Sequence, residues 1–194
     1  MAATTESVGG RPREARIERD VLAAARELLV EQGFAGLRVA AVAERAGTTK
    51  PALYRRWPSL PHLVYEAAFP DDVAVALHLG GDLRTDLYGI VVGVRDLFTS
   101  PVVSAALPGL IAEFARRPEL HASLLQRFSG VFVDLDRRLL RAVQDGDARA
   151  DVCADDLVQT VLGAVLAGIV FTPDGLDDGW ADRLSTTLWK GIRP

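Results

Sequence analysis

The sequence predicts an all-α fold. Apolar residues recur three and four apart along most of the chain, and nowhere is there a sustained two-residue alternation that would mark a strand. Gly, Pro and Asp punctuate the pattern at intervals that suit helix ends. With 194 residues, 49% of them hydrophobic and 25% charged, the chain has enough apolar surface to offset the entropy of ordering. Such a length suits one large domain, or a small domain joined to a larger one.

The opening 1–13 is rich in Thr, Ser, Gly and Ala and ends in GGRPR, which reads as a disordered arm. From Glu14 to Gln32, the residues Ile17, Val21, Leu22, Ala24, Ala25, Leu28 and Leu29 share one helical face. Arg16, Glu18, Arg19, Glu27 and Glu31 fall on the other face, and Gly33 is placed to end the helix. A short helix is predicted from Val39 to Ala46, buried through Val39, Val42, Ala43 and Ala46 and closed by Gly47. Thr49 is positioned to cap a third helix over Lys50 to Arg56; Pro51 fits its first turn and Pro58 stops it. Helices this short are marginal alone, so the first must serve as their packing platform. A three-helix domain over 14–60 is therefore followed by a helical domain over 61–194. In it, helices are predicted at about 61–79, 82–99, 102–116, 118–145, 154–171 and 176–191, with Pro70-Asp71-Asp72 interrupting or kinking the first.

The DNA-reading assignment rests on 46-AGTTKPALYRRW-57. In a tight helix-turn-helix the second helix stands away from the body, where it enters a major groove. Leu53 would point into the core and Trp57 would close its base with the indole edge near solvent. Thr48, Thr49, Lys50, Tyr54, Arg55 and Arg56 would remain outward, offering hydroxyls and cations to phosphates and arginines to guanine edges. An ordinary solvated helix would mix carboxylates among its cations, and none occurs between Arg45 and Trp57. Charge is also uneven: 10 Lys and Arg against 8 Asp and Glu in residues 1–70, but 12 against 18 in 71–194.

These residues resemble the N-terminal domain of TetR-type (TetR/AcrR) transcriptional regulators. The matching elements are Glu31-Gln32-Gly33-Phe34, Ala43-Glu44-Arg45-Ala46-Gly47, Thr49-Lys50-Pro51-Ala52-Leu53-Tyr54-Arg55-Arg56-Trp57 and Pro58-Ser59. The resemblance implies a ligand-responsive regulator, most often a repressor, that binds a palindromic double-stranded operator as a homodimer and is released by a small effector. It implies DNA-backbone contacts for Thr49, Lys50 and Tyr54, base or phosphate contacts for Arg55 and Arg56, and a place at the recognition-helix start for Thr48. The chain departs from the family pattern at three places. Leu37-Arg38 stands where two threonines are usual, so Arg38 is expected to hold that phosphate instead. Leu60 replaces a common lysine, and Pro51 stiffens the helix start.

Two copies related by a twofold axis reach successive major grooves about 34 Å apart. The dimer surface is expected on the last two helices. Gly163, Ala164, Ala167 and Gly168 permit close approach there, Ile169 adds apolar area, and Leu184 and Leu188 face them from the final helix. Ordinary core packing is the competing reading of the same residues. An effector pocket is expected among the middle helices, with Phe98, Leu110, Phe114, Phe128 and Phe132 as lining candidates and His78, Glu113, His121 and Gln126 as polar ones. Most of these apolar residues read first as plain core, as a Phe-rich helical face usually does. A largely apolar pocket suits a hydrophobic effector.

One cysteine, Cys153, leaves no internal disulfide, and the three histidines are too far apart for a local ligand pair, so no metal or cofactor is expected. The first ten residues show no secretory pattern. The apolar run 161–171 is shorter than the ~20 residues a bilayer needs, so no membrane partner and a cytoplasmic location are expected. Neither a nucleophile elbow nor a phosphate loop is present, which argues against an enzyme. The alternative is a helical interaction protein that kept the three-helix scaffold without reading DNA.

Overall fold

The computed structural model describes residues 10–71, 81–172 and 175–194, and among these it is all-α, with no strand. Its helices are α1 (Gly10–Gly36), α2 (Val39–Arg45), α3 (Lys50–Arg56), α4 (Leu60–Ala68), α5 (Leu83–Thr99), α6 (Pro101–Arg116), α7 (Pro118–Gln144), α8 (Ala154–Phe171) and α9 (Asp178–Ile192). They form two compact units. The first contains the chain up to Pro70 together with Ser104–Leu120, and the second contains Asp71–Val103 with His121–Pro194. The second unit's core therefore lacks most of α6, which packs with the N-terminal helices instead.

The first unit is built on α1. Val21, Ala24, Ala25, Leu28 and Leu29 are buried, as the three-and-four spacing predicts, while Ile17 and Leu22 are half-buried at the edge of that face. Removing a leucine such as Leu29 from water contributes about 2 kcal/mol. Helix α1 begins at Gly10, so the last four residues of the expected arm are helical; residues 1–9 lie outside the described residues. The Arg26 guanidinium donates through Nε to the Ala67 carbonyl at 2.9 Å, which fastens the end of α4 to α1. Helix α4 ends where the sequence places its interruption, just ahead of Pro70-Asp71-Asp72. It stops at Ala68, and Phe69 takes φ −123° and ψ 76° because the residue before a proline is pushed out of the helical region. The ring of Phe69 then fills the core at 1% exposure. Most of the remainder of the expected 61–79 helix, including His78, lies outside the described residues.

The second unit gathers Leu83, Leu87, Ile90 and Val91 of α5, Leu135, Leu139 and Ala142 of α7, Leu157, Val161 and Val165 of α8, and Leu188 and Ile192 of α9. A buried aspartate and a buried arginine are set into this packing. Asp86, 2% exposed, accepts from Arg138 Nε at 2.6 Å and from the Gly81 amide at 3.0 Å, tying α5 to α7. Arg95 donates to Asp96 and to Asp178, each at 2.8 Å, and so pins the first turn of α9 to α5. Asp82 and Asp177 cap α5 and α9 by accepting from the Thr85 and Trp180 amides. Taken over all 18 residues rather than its uninterrupted apolar run, α8 has a mean hydropathy of 1.6 and is long and apolar enough to cross a membrane. One face of it is buried in the core just described.

Candidate nucleic-acid interface

The turn that presents α3 is assembled from local rules. Gly33 takes φ 66° and ψ 175°, a region open essentially to glycine alone, and breaks the line of α1. Arg38 precedes α2 in extended conformation, and its guanidinium donates to the Ala35 and Leu37 carbonyls at 2.7 and 3.0 Å. It therefore serves the turn that a hydroxyl would otherwise cap, while remaining exposed. After α2, Gly47 takes φ 61°, and the Thr48 amide closes the turn on the Ala43 carbonyl at 2.9 Å. Thr49 caps α3 by accepting from the Ala52 amide at 3.4 Å, and Pro51 sits in the first turn, where no N–H is missed.

Helix α3 covers the seven residues the sequence predicts, Lys50–Arg56. Leu53 is 2% exposed and Trp57 is 5% exposed. The indole N–H of Trp57 does not reach solvent: it donates to the Glu66 carboxylate of α4, locking the end of α3 to the helix behind it. Thr49, Lys50, Pro51, Tyr54, Arg55 and Arg56 are exposed, and Thr48 is half-buried. Tyr54 leaves half of its surface in solvent, 51%, so its phenol is available on the same side as the cations.

The cations are not equivalent. Arg45 makes a forked pair with Glu31, at 2.6 and 3.0 Å, and lies 3.6 Å from Glu27. Its hydrogen bonds hold the Glu31 carboxyl below the usual carboxylate range and raise the Arg45 guanidinium. Arg45 thus fastens α2 to α1. Arg56 donates to Glu18 of α1 at 2.8 Å. Among the described residues no ion pair holds Lys50 or Arg55, so these two present their charge outward without an internal competitor. Sequence reasoning placed Glu18 and Glu31 on the solvent face of α1 but missed their partners. Those lie 38 and 14 residues away, and only the fold brings them together.

The remaining candidates fall in both units. Leu110 is fully buried and fills the core of the first unit, and Phe114 is half-buried on the same helix. In the second unit Phe98 packs against the core, while Phe128 and Phe132 are half-buried on α7. Glu113 is engaged by Arg117 at 2.6 Å, and His121 and Gln126 are exposed. A cavity of about 210 Å³ in the second unit is lined by Arg149, Val152, Cys153, Leu157, Thr160 and Leu188 among others, and by none of the five effector candidates. On α8, Gly163, Ala167 and Ile169 are exposed, and a Cβ on Gly163 would meet open space. Gly168 instead receives Leu176 of its own chain. Leu184 is half-buried, and Leu188, 9% exposed, belongs to the buried core of the second unit.

A short exposed helix bearing hydroxyls and cations, held by a glycine turn on a three-helix platform, defines a helix-turn-helix DNA-binding protein. The family model described as bacterial regulatory proteins of the tetR family matches residues 21–66, and the tetracyclin repressor-like C-terminal domain matches 79–188. The chain belongs to the TetR family of transcriptional regulators, which are DNA-binding proteins and not enzymes. It is 31% identical over 153 residues to an HTH-type transcriptional regulator of Mycobacterium bovis, covering 77% of this chain and 74% of that one. It is 28% identical over 182 residues to the DNA-binding transcriptional repressor TetR of Mycobacteroides abscessus, covering 90% and 93%. The crystal structure of the TetR family transcription regulator SCO0332 superposes with a TM-score of 0.67 at 29% identity, over 92% of this chain and 99% of that one.

Proposed function

We propose that the protein is a ligand-responsive repressor that binds a palindromic operator as a homodimer in the cytoplasm and is released by a small hydrophobic effector. The observation that carries the reading is the outward face of α3, where Thr49, Lys50, Tyr54 and Arg55 stand exposed on a helix with no carboxylate. Regulators of this family bind DNA and typically act as dimers with small-molecule effectors. The M. abscessus relative is named a repressor, which supports the same sign of control here. In this reading Thr48, Thr49, Lys50, Pro51 and Tyr54 meet the DNA backbone and Arg55 meets base edges. Arg38 and Arg56 reach phosphates by exchanging their present protein partners for them.

Dimerisation is assigned to the exposed side of α8, with Gly163 and Ala167 allowing close approach and Ile169 beside them. Val170 and Phe171, 70% and 81% exposed, continue that apolar surface. Half-buried Leu184 borders it from α9, and the exposed edge of Leu188 is its limit. Effector binding is assigned to the region of Phe98, Leu110, Phe114, Phe128 and Phe132. Release follows from a population shift: the effector favours a conformer whose recognition helices are wrongly spaced for successive grooves, and the segment beginning at α4 carries the change.

Selection of duplexes from a random pool tests the reading. The expected product is a palindrome whose half-sites lie one helical turn apart, bound less tightly as salt rises. Equal binding to every duplex would leave only non-specific attraction and would overturn the proposal.

A further inference from the structure

Helix α3 carries Lys50, Arg55 and Arg56, and the fold treats the last of these cations differently. Lys50 and Arg55 are exposed, and among the described residues no ion pair holds either. Arg56 ends the helix and donates through Nη2 to Oε1 of Glu18 at 2.8 Å. Glu18 belongs to α1 and lies 38 residues back in the chain, so packing alone brings this carboxylate to the recognition helix. The Arg56 side chain is 58% exposed and that of Glu18 35%, which leaves the pair open to water and to an incoming phosphate.

Such a pair adds little to the stability of the fold, because solvent screens it and two long side chains must be ordered to make it. Its effect on a polyanion is larger. A carboxylate within hydrogen-bond distance of a guanidinium occupies donors that a phosphate oxygen would otherwise use. A duplex therefore meets Lys50 and Arg55 directly but must displace Glu18 to engage Arg56. Displacement requires a phosphate held in place beside the helix end. Base-edge contacts fix that register when α3 sits on its own sequence, whereas on an unrelated duplex the phosphates pass in no fixed position. Sequence-independent attraction grows with the number of phosphates neutralised, so withholding one cation weakens that kind of binding most.

We propose that Glu18 is a specificity-determining residue of DNA binding, which stands in for phosphate on Arg56 and yields only to a duplex on which α3 is correctly seated. Glu18 itself touches no DNA. The proposal rests on the operator-binding reading above and adds a residue of α1 that acts by restraining one cation of α3.

The test titrates the full-length protein with the duplex that the wild type selects and with random duplex. One preparation serves both titrations, so any unfolded fraction cancels in the ratio of the two affinities. Glu18→Gln keeps the shape of the side chain and removes its charge. It is expected to tighten binding of random duplex about 10-fold and of the selected duplex no more than about 3-fold, so that the selected-to-random ratio falls. The salt slope for random duplex should steepen by about 0.9, the equivalent of one added phosphate contact. In an Arg56→Ala background the same substitution should leave the ratio unchanged, because no cation remains to be released. Glu14→Gln removes an equal charge one turn earlier on α1 and should leave the ratio near that of the wild type. An unchanged ratio in Glu18→Gln overturns the proposal. So does an equal fall in the Arg56→Ala background or in Glu14→Gln, since either would reduce the effect to overall charge. If the wild type selects no sequence, the operator-binding reading fails by itself. The restraint is then judged on random duplex alone, where Glu18→Gln must bind more tightly than the wild type and with the steeper slope; equal binding overturns it.

Discussion

The two compact units use charge in opposite ways. In the first, Arg45 and Arg56 are tied to Glu31 and Glu18 at the surface, and Lys50 and Arg55 stand open. In the second, Asp86 and Arg95 are buried, and their pairs with Arg138 and Asp178 run between helices. Surface pairs cost little to exchange, so the first unit can trade carboxylate partners for phosphate oxygens. The Asp86–Arg138 pair cannot be exchanged without stranding a charge, so it fixes α5 to α7, while the exposed carboxylate of Asp178 holds buried Arg95 from the surface. A reader of DNA needs the first property, and a body that must keep its shape needs the second.

This contrast can be broken by substitution. Asp86→Ala is expected to have the largest effect, about 3 kcal/mol, because it leaves Arg138 without its buried partner. Urea denaturation measures it, and a loss below about 1 kcal/mol would show that Arg138 simply swings to water. Trp57→Phe comes next, at about 1–2 kcal/mol, since it removes the indole donor and leaves Glu66 unpaired. Its thermal unfolding should shift while the second unit's helices keep their exchange protection. Thr49→Ala should cost about 1 kcal/mol through the lost α3 cap, read from the same melts.

Arg55→Ala sharpens the comparison from the other side. Stability should move by no more than about 0.5 kcal/mol, whereas affinity for the selected duplex falls and its advantage over random duplex shrinks. Unchanged affinity and discrimination would remove Arg55 from the interface. The smallest effect concerns pH. Glu31 titrates lower in the folded protein than its ordinary value of 4.5, so its pair with Arg45 stabilises the fold above that pH. The contribution fades as pH falls through the lowered folded value, and Arg45→Ala should abolish that part of the acid dependence. Identical acid melts for the two proteins would show that the pair does nothing.

Much of the reader was legible in the chain. Thr49, Pro51 and Pro58 mark the ends of α3 because capping and missing N–H groups act over a few residues, and Gly33 and Gly47 announce backbone that other residues avoid. The burial of Val21, Leu28, Leu29 and Leu53 follows from spacing alone. The end of α4 was legible too, since Pro70 pushes Phe69 out of the helical region, but nothing local says that the Phe69 ring will turn inward. The second unit offered only length and order: whether a Phe on α7 lines a pocket or a core depends on what lies opposite. The Leu188 assignment shows this, for its spacing suits an interface and its packing makes it core.

By itself, then, the sequence determined the helices, the turn that lifts α3, and the basic face presented there, because each depends on residues within one or two turns of one another. Tertiary structure decided which cations are held and which are open, placed α6 with the N-terminal helices, and set Phe34 upon Gly109. Those outcomes join residues 14 to 75 positions apart, and such distances are closed by the burial of the core as a whole, which no local pattern encodes.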